Sequence, residues 1–131
     1  GGGAPMSVPV DLAALRERLA EYGPNPFLTT VNEDGTPHVT SVTVRLDGAV
    51  LVAGAGRRTR RNVAERPSVA LLWPPAADPA YSLIVDALAV AADAEGSEEV
   101  RMTPHAAILH RVAGAAGEGP NCLAVDGGPP P

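Results

Sequence analysis

Apolar and polar positions change period several times along this 131-residue chain, and each change marks an element. Over residues 10–22, Val10, Leu12, Leu15 and Leu19 recur near helical spacing, with Arg16, Glu17 and Arg18 between them and Asp11 at the start. One short amphipathic helix is expected. Gly23, Pro24 and Pro26 end it. Residues 27–31 form a run of β-forming side chains closed by Asn32-Glu33-Asp34-Gly35, the composition of a hairpin turn. Period two then runs from His38 to Leu46, with Val39, Ser41, Thr43 and Arg45 on one face and Thr40, Val42, Val44 and Leu46 on the other. Asp47-Gly48 turns the chain into a strand over 49–54, so the pattern predicts a three-stranded meander.

Alternation stops at Gly54-Ala55-Gly56. Residues 57–66 read as a short helix opened by this glycine loop and ended before Pro67. An almost wholly apolar strand follows over 68–73, then a proline-bounded loop over 74–79 and a long apolar strand over 81–92, suited to burial on both faces. Residues 99–102 and 106–112 read as further strands. The expected fold class is mainly β, a small barrel of about six antiparallel strands with one or two short helices. An apolar content of 45% in this length builds one domain and not two. The expected boundaries are an expression scar and flexible N-terminus over 1–7, the folded domain over 8–112, and a Gly/Pro-rich tail over 113–131.

Ten basic residues, all arginines, against fifteen acidic ones give a net charge of −5, which argues against nucleic-acid or membrane-surface partners for the chain as a whole. Neither a signal peptide nor an apolar run of about 18 residues is visible. The single cysteine, Cys122, has no Cys-x-x-Cys partner. A cytoplasmic protein is expected. His38, His105 and His110 are too scattered for a metal motif, so no metal site is expected.

One charged feature stands apart. Residues 57–66 hold five arginines and one glutamate, a local +4 that leaves −9 on the rest of the chain. Arginine in the first turn of a helix meets the positive end of the macrodipole, at a cost of up to about 1 kcal/mol each. An anion held by the free N–H groups after the glycine loop and by guanidinium forks would offset it. The plain alternative is a solvated polar face. Ser41 and Thr43 share a strand face and could hydrogen-bond a polar ring edge, or lie on an exposed face with no ligand. Ser82 opens an otherwise apolar strand and either points at a ligand or caps the strand end. Trp73 reads first as core. RNA binding through the arginines lacks stacking aromatics beside them.

The chain resembles the pyridoxamine 5′-phosphate oxidase-like family of flavin-binding split β-barrels, in a short actinobacterial branch. The resemblance runs from about Phe27 to Arg111 and rests on Phe27-Leu28-Thr29-Thr30-Val31, Asp34-Gly35-Thr36-Pro37-His38, the 56–63 segment, Arg66-Pro67-Ser68-Val69-Ala70-Leu71-Leu72 and Tyr81-Ser82-Leu83-Ile84-Val85-Asp86. It implies a homodimer with two FMN-type sites at the subunit interface. The family's phosphate-holding segment falls on Arg57, Arg58 and Thr59, with Arg61 close by, and Thr59 replaces the usual lysine. The strand lining the isoalloxazine falls on Ser41, Val42, Thr43 and Val44, and a polar ring contact on Ser82. Val52 and Ala53 stand where true oxidases offer a hydroxyl pair, and the arginine and histidine segment that grips the vitamin B6 substrate has no match.

The resulting expectation is an oxidoreductase dependent on FMN or on a deazaflavin coenzyme, in which the cofactor carries the hydride chemistry and no catalytic residue is assigned. A long acidic deazaflavin tail would suit the arginines. The alternative is a non-catalytic dimeric module that binds a phosphorylated ligand or has lost its cofactor, as the missing lysine and hydroxyl pair would favour.

Overall fold

In the computed structural model, which describes residues 7–75, 81–92 and 95–111, eight strands and two short α-helices follow one another along the chain. They are β1 (Ser7–Pro9), a 3-10 turn (Leu12–Ala14), α1 (Leu15–Tyr22), β2 (Phe27–Val31), β3 (Pro37–Ser41), β4 (Val44–Asp47), β5 (Val50–Gly54), α2 (Arg57–Glu65), β6 (Ser68–Trp73), β7 (Ser82–Ala91) and β8 (Glu99–His110). The sheet is antiparallel throughout, in the order β3-β2-β6-β7-β8-β5-β4, with β1 added beside β8. Mainly antiparallel sheet with two short helices is the class the periodicity predicts, with eight strands among the described residues where about six were expected, and the split-barrel arrangement is the one the family resemblance implies.

The meander does not form. β3 and β4 are consecutive in sequence yet lie at opposite ends of the strand order, because pairing stops at Val42-Thr43. There the backbone leaves its strand neighbours for the Gly23–Pro26 segment. Val42 N–H donates to the Pro26 carbonyl at 3.1 Å and Val44 N–H to the Pro24 carbonyl at 2.8 Å. A proline can accept but has no N–H to return, so no ladder continues through this point. Side-chain alternation survives the break, with Val42 and Val44 buried and Ser41 and Thr43 exposed, which is why the sequence pattern looked unbroken.

The two weak strands near the end are one. β8 runs unbroken past Pro104 and absorbs His105 as a bulge, since Asp86 pairs with Ala106 while Ala87 pairs with Pro104. Pro104 is tolerated because β5 pairs only as far as Met102 on that side and β1 begins only at Ile108.

The inward face carries the core, including Leu28, Leu51, Leu71, Trp73, Leu83, Val85, Val100 and Met102, none more than 1% exposed. Burial of each such side chain contributes about 1.5–3 kcal/mol. The helix expected over 10–22 begins later than predicted. Asp11 caps the 3-10 turn by accepting from the Ala13 N–H at 3.0 Å, and the α-helix proper starts at Leu15. Trp73 Nε1 donates to the Gly23 carbonyl at 2.8 Å, tying the end of α1 to β6. Asp47 pairs with Val50 across a two-residue turn whose Gly48 has φ +63°, the left-handed geometry a tight hairpin needs at its first central position.

Ser7, expected within the flexible N-terminus, lies in β1 opposite His110. The expected scar before Met6, the loop beyond Pro75, Cys122 and the 113–131 tail fall outside the described residues.

Candidate functional site

α2 begins at Arg57, where the glycine loop placed it, and its N-cap Gly56 offers no side-chain cap. The first N–H groups of a helix have no intrahelical acceptor, so those of α2 face outward at the positive end of its dipole. Arg57, Arg58 and Arg61 are exposed here. Among the described residues, the ion pairs use Arg18, Arg45, Arg66 and Arg101, and none uses these three. Arg60 instead turns back to donate to the Ala55 carbonyl, which fixes the loop.

The helix is held from below by groups the sequence reading did not single out. Asn62, 2% exposed, donates through Nδ2 to Thr30 Oγ1 and to Asn32 Oδ1, both at 3.0 Å. Arg66 Nε donates to the Val31 carbonyl at 2.8 Å, and its guanidinium also reaches Asn62 Oδ1 at 3.4 Å. Val63 inserts into the core beside them. A polar residue between Arg61 and Val63 was the available signal, since Asn inside a helix needs a partner.

Two clefts flank this platform. The first, about 460 Å³, is lined by Asn25, Ser41, Val42, Thr43 and Gly54. It sits where the strand breaks, and Thr43 Oγ1 donates to Asn25 Oδ1 at 2.9 Å across it. Gly54 ends β5 just before the loop to α2, so cleft and arginines are joined by three residues of chain. The second, about 420 Å³, lies between α2 and the β2–β3 turn, with Arg58, Arg61 and Asn62 facing Asn32, Glu33, Asp34 and Thr36. Asp34 accepts from Thr36 Oγ1 at 2.6 Å and from Thr36 N–H at 3.0 Å. These bonds hold its carboxyl below the usual carboxylate range, with a smaller contribution from Arg58.

The residues expected to form one site are therefore distributed. Ser41, Val42 and Thr43 meet in the first cleft, whereas Arg58 and Arg61 line the second and Arg57 projects from the first turn of α2. Val44 faces inward and borders a separate groove under α1. Thr59 is 2% exposed, beneath the helix. Ser82 opens β7 opposite His110 on the outward face of the sheet, away from the first cleft. Val52 and Ala53 are both buried, at 0% and 1% exposure.

The donor set can be tested against a phosphorylated ring cofactor. It fits in the kinds of group present, guanidinium groups without an ion pair among the described residues and the hydroxyls of Ser41 and Thr43 with Asn25, although Arg58 and Arg61 open on the second cleft beside Glu33 and Asp34. Among the described residues no group of three or more His, Cys, Asp or Glu side chains is placed to hold a metal ion, and no helix is long and apolar enough to cross a membrane.

Comparison with known proteins agrees with the architecture. The family described as pyridoxamine 5′-phosphate oxidase matches residues 13–119. An uncharacterised protein of Mycobacterium bovis is 40% identical over 115 residues, covering 78% of this chain and 80% of its own length. Among solved structures, a FAD-binding protein of Mesorhizobium loti superposes with a TM-score of 0.60 at 13% identity, covering 81% of this chain and 98% of its own. The haem storage protein of Vibrio cholerae gives 0.55 at 15%, covering 77% and 95%. A structure named F420 reductase gives 0.50 at 23%, covering 74% and 93%. At these identities the structures share the fold; the family match and the mycobacterial relative decide the kinship, and the chain belongs to the pyridoxamine 5′-phosphate oxidase family.

Proposed function

We propose that the protein is a cytoplasmic, homodimeric oxidoreductase that uses FMN or a deazaflavin coenzyme on a small-molecule substrate. The observation that carries this reading is the set of three arginines, Arg57, Arg58 and Arg61, exposed at the start of α2 and engaged in no ion pair among the described residues. Their guanidinium forks and the free helix N–H groups would hold the phosphate. Ser41 and Thr43 would hydrogen-bond the polar edge of the ring, while Val42 and Val44, turned inward, keep that edge backed by core. Such a cofactor supplies hydride transfer by itself, so the protein's part is to bind, orient and shield it. Fold neighbours named for FAD and for F420 support both versions of the cofactor.

A second copy would complete the site. The outward row Ser41, Phe27, Leu72, Ile84 and Ile108 runs across five strands in register, and Phe27 and Leu72 are exposed on it at 42% and 36%. An exposed apolar row of this extent is the mark of an association surface. Ser82, one residue before Ile84's inward neighbour Leu83, shares that face and would meet a cofactor held by the partner subunit.

Val52, Ala53 and Thr59 favour a second reading. All three are buried, and none presents the hydroxyl pair or the lysine that the family resemblance calls for. The protein would then be a dimeric module that binds a phosphorylated ligand without catalysis; a neighbour named for haem storage shows that proteins of this fold are not named for oxidoreductase activity alone. Titration of the ligand-stripped protein with FMN and with the deazaflavin coenzyme, followed by fluorescence at two salt concentrations, decides between them. Micromolar binding that weakens with salt supports the oxidoreductase. Failure of both to bind, with retention of a simpler phosphorylated ligand, supports the module.

A further inference from the structure

An apolar groove lies apart from both clefts, under α1. Leu19, Ala20, Pro24, Val44 and Leu46 form its walls, Arg16 stands at its rim, and its volume is about 420 Å³, within the size range of small-molecule sites. A second hollow of about 300 Å³ shares Arg16 and Leu46 with it, and extends the groove toward Leu12, Leu15 and Pro104. Pro104, one of the residues lining that extension, has no backbone N–H.

Two arginines border the main groove, and they differ. Arg45 gives its guanidinium to Glu99 at 2.9 Å. Arg16 enters none of the ion pairs or side-chain hydrogen bonds found among the described residues, although it lies in the first turn of α1, where a cation meets the unfavourable end of the dipole. An anion beside it would be favoured on both counts.

The geometry points to a second binding site in this groove, for a small carboxylate with an apolar chain. The chain lies along Leu19, Val44 and Leu46, and the carboxylate pairs with Arg16 in the bidentate manner guanidinium allows. An alcohol or an amine of the same length gains the apolar contact without the ion pair. The groove shares no lining residue with either of the two clefts beside α2 and meets the cofactor reading only at Val44.

The protein carries its own reporter. Its single tryptophan, Trp73, donates to the carbonyl of Gly23, which lines the groove. Titration of the full chain with decanoate and with decanol, both below their aggregation limits, can be followed by Trp73 emission and by calorimetry. Saturable one-to-one binding of decanoate is expected, about tenfold or more tighter than decanol. Arg16→Gln should remove that preference while leaving decanol affinity unchanged. Ala20→Phe, which fills the groove, should abolish binding of both with the circular dichroism spectrum unaltered. Non-saturable decanoate binding, equal affinity for acid and alcohol, or wild-type affinity in either variant overturns the proposal.

Discussion

On the sheet, Arg45 of β4 reaches across β5 to Glu99 of β8, and Arg101 of β8 reaches back across β5 to Asp47 of β4, each at 2.9 Å. Both flank Val52, which pairs with both arginines in register and is fully buried. On α2, Arg57, Arg58 and Arg61 cover nothing comparable and form no ion pair among the described residues, although Arg58 and Arg61 face Glu33 and Asp34 across the second cleft. The same residue type thus does two jobs. Over the sheet, the guanidinium stems roof an apolar position and their charges are neutralised within the fold. On the helix, the charge is left without an ion pair, which is the feature the proposed function draws on.

The largest expected effect comes from removing the open charges. The double variant Arg58→Ala/Arg61→Ala should lower FMN affinity about 100-fold by fluorescence titration, because charge-assisted hydrogen bonds carry more than neutral ones. Its unfolding midpoint should stay that of the parent. Loss of stability with affinity retained would show that these arginines belong with those on the sheet.

Asn62→Ala separates the platform from the charges it carries. It strands the buried Thr30 hydroxyl and frees Arg66 from one acceptor, so urea denaturation should report a loss of about 2 kcal/mol. Arg101→Ala should do less. Exposed pairs contribute little, and a fall in Tm of less than about 5 °C with FMN affinity intact is expected.

The smallest effect belongs to Asp34, which faces Arg58 and Arg61 across the second cleft. Its pKa in the folded protein lies below the ordinary value of 3.8, held there chiefly by Thr36. The stability it contributes is therefore present above that ordinary value and lost as pH falls through the folded one. Acid unfolding of Asp34→Asn, followed by circular dichroism, should show a shallower decline in that window, with stability slightly below the parent's at neutral pH and equal to it once Asp34 is protonated. An identical acid limb would remove Thr36 from the account of this turn.

Much of this was legible beforehand, and the exceptions have physical causes. Turns announced themselves through Asn32-Glu33-Asp34-Gly35 and Asp47-Gly48, and the start of α2 through Gly54-Ala55-Gly56, because these residues act locally. The break at Val42-Thr43 stayed hidden because burial alternates straight through it, while its cause lies some twenty residues away at Pro24 and Pro26. Joining 99–102 to 106–112 required knowing that no strand borders Pro104 on the side away from β7. Within the candidate site, Ser41 and Thr43 were placed together by period two alone. The burial of Thr59 and the outward facing of Ser82 depend on which neighbour each strand or helix meets, which no single segment reveals.

Pro104 also bears on how this sheet avoids its own kind. Between the partners of β5 and of β1, β8 has a short length of edge with no strand beside it. The Glu98 carbonyl, taken by Ala55, points to that side, and by period two the missing N–H of Pro104 falls there as well. An open edge invites another chain to add a strand, and a proline with a bulge directly after it removes both the donor and the straight template. Along these few residues the sheet therefore offers another chain little to pair with, and Leu12, Ala13 and Leu15 stand beside Pro104 there.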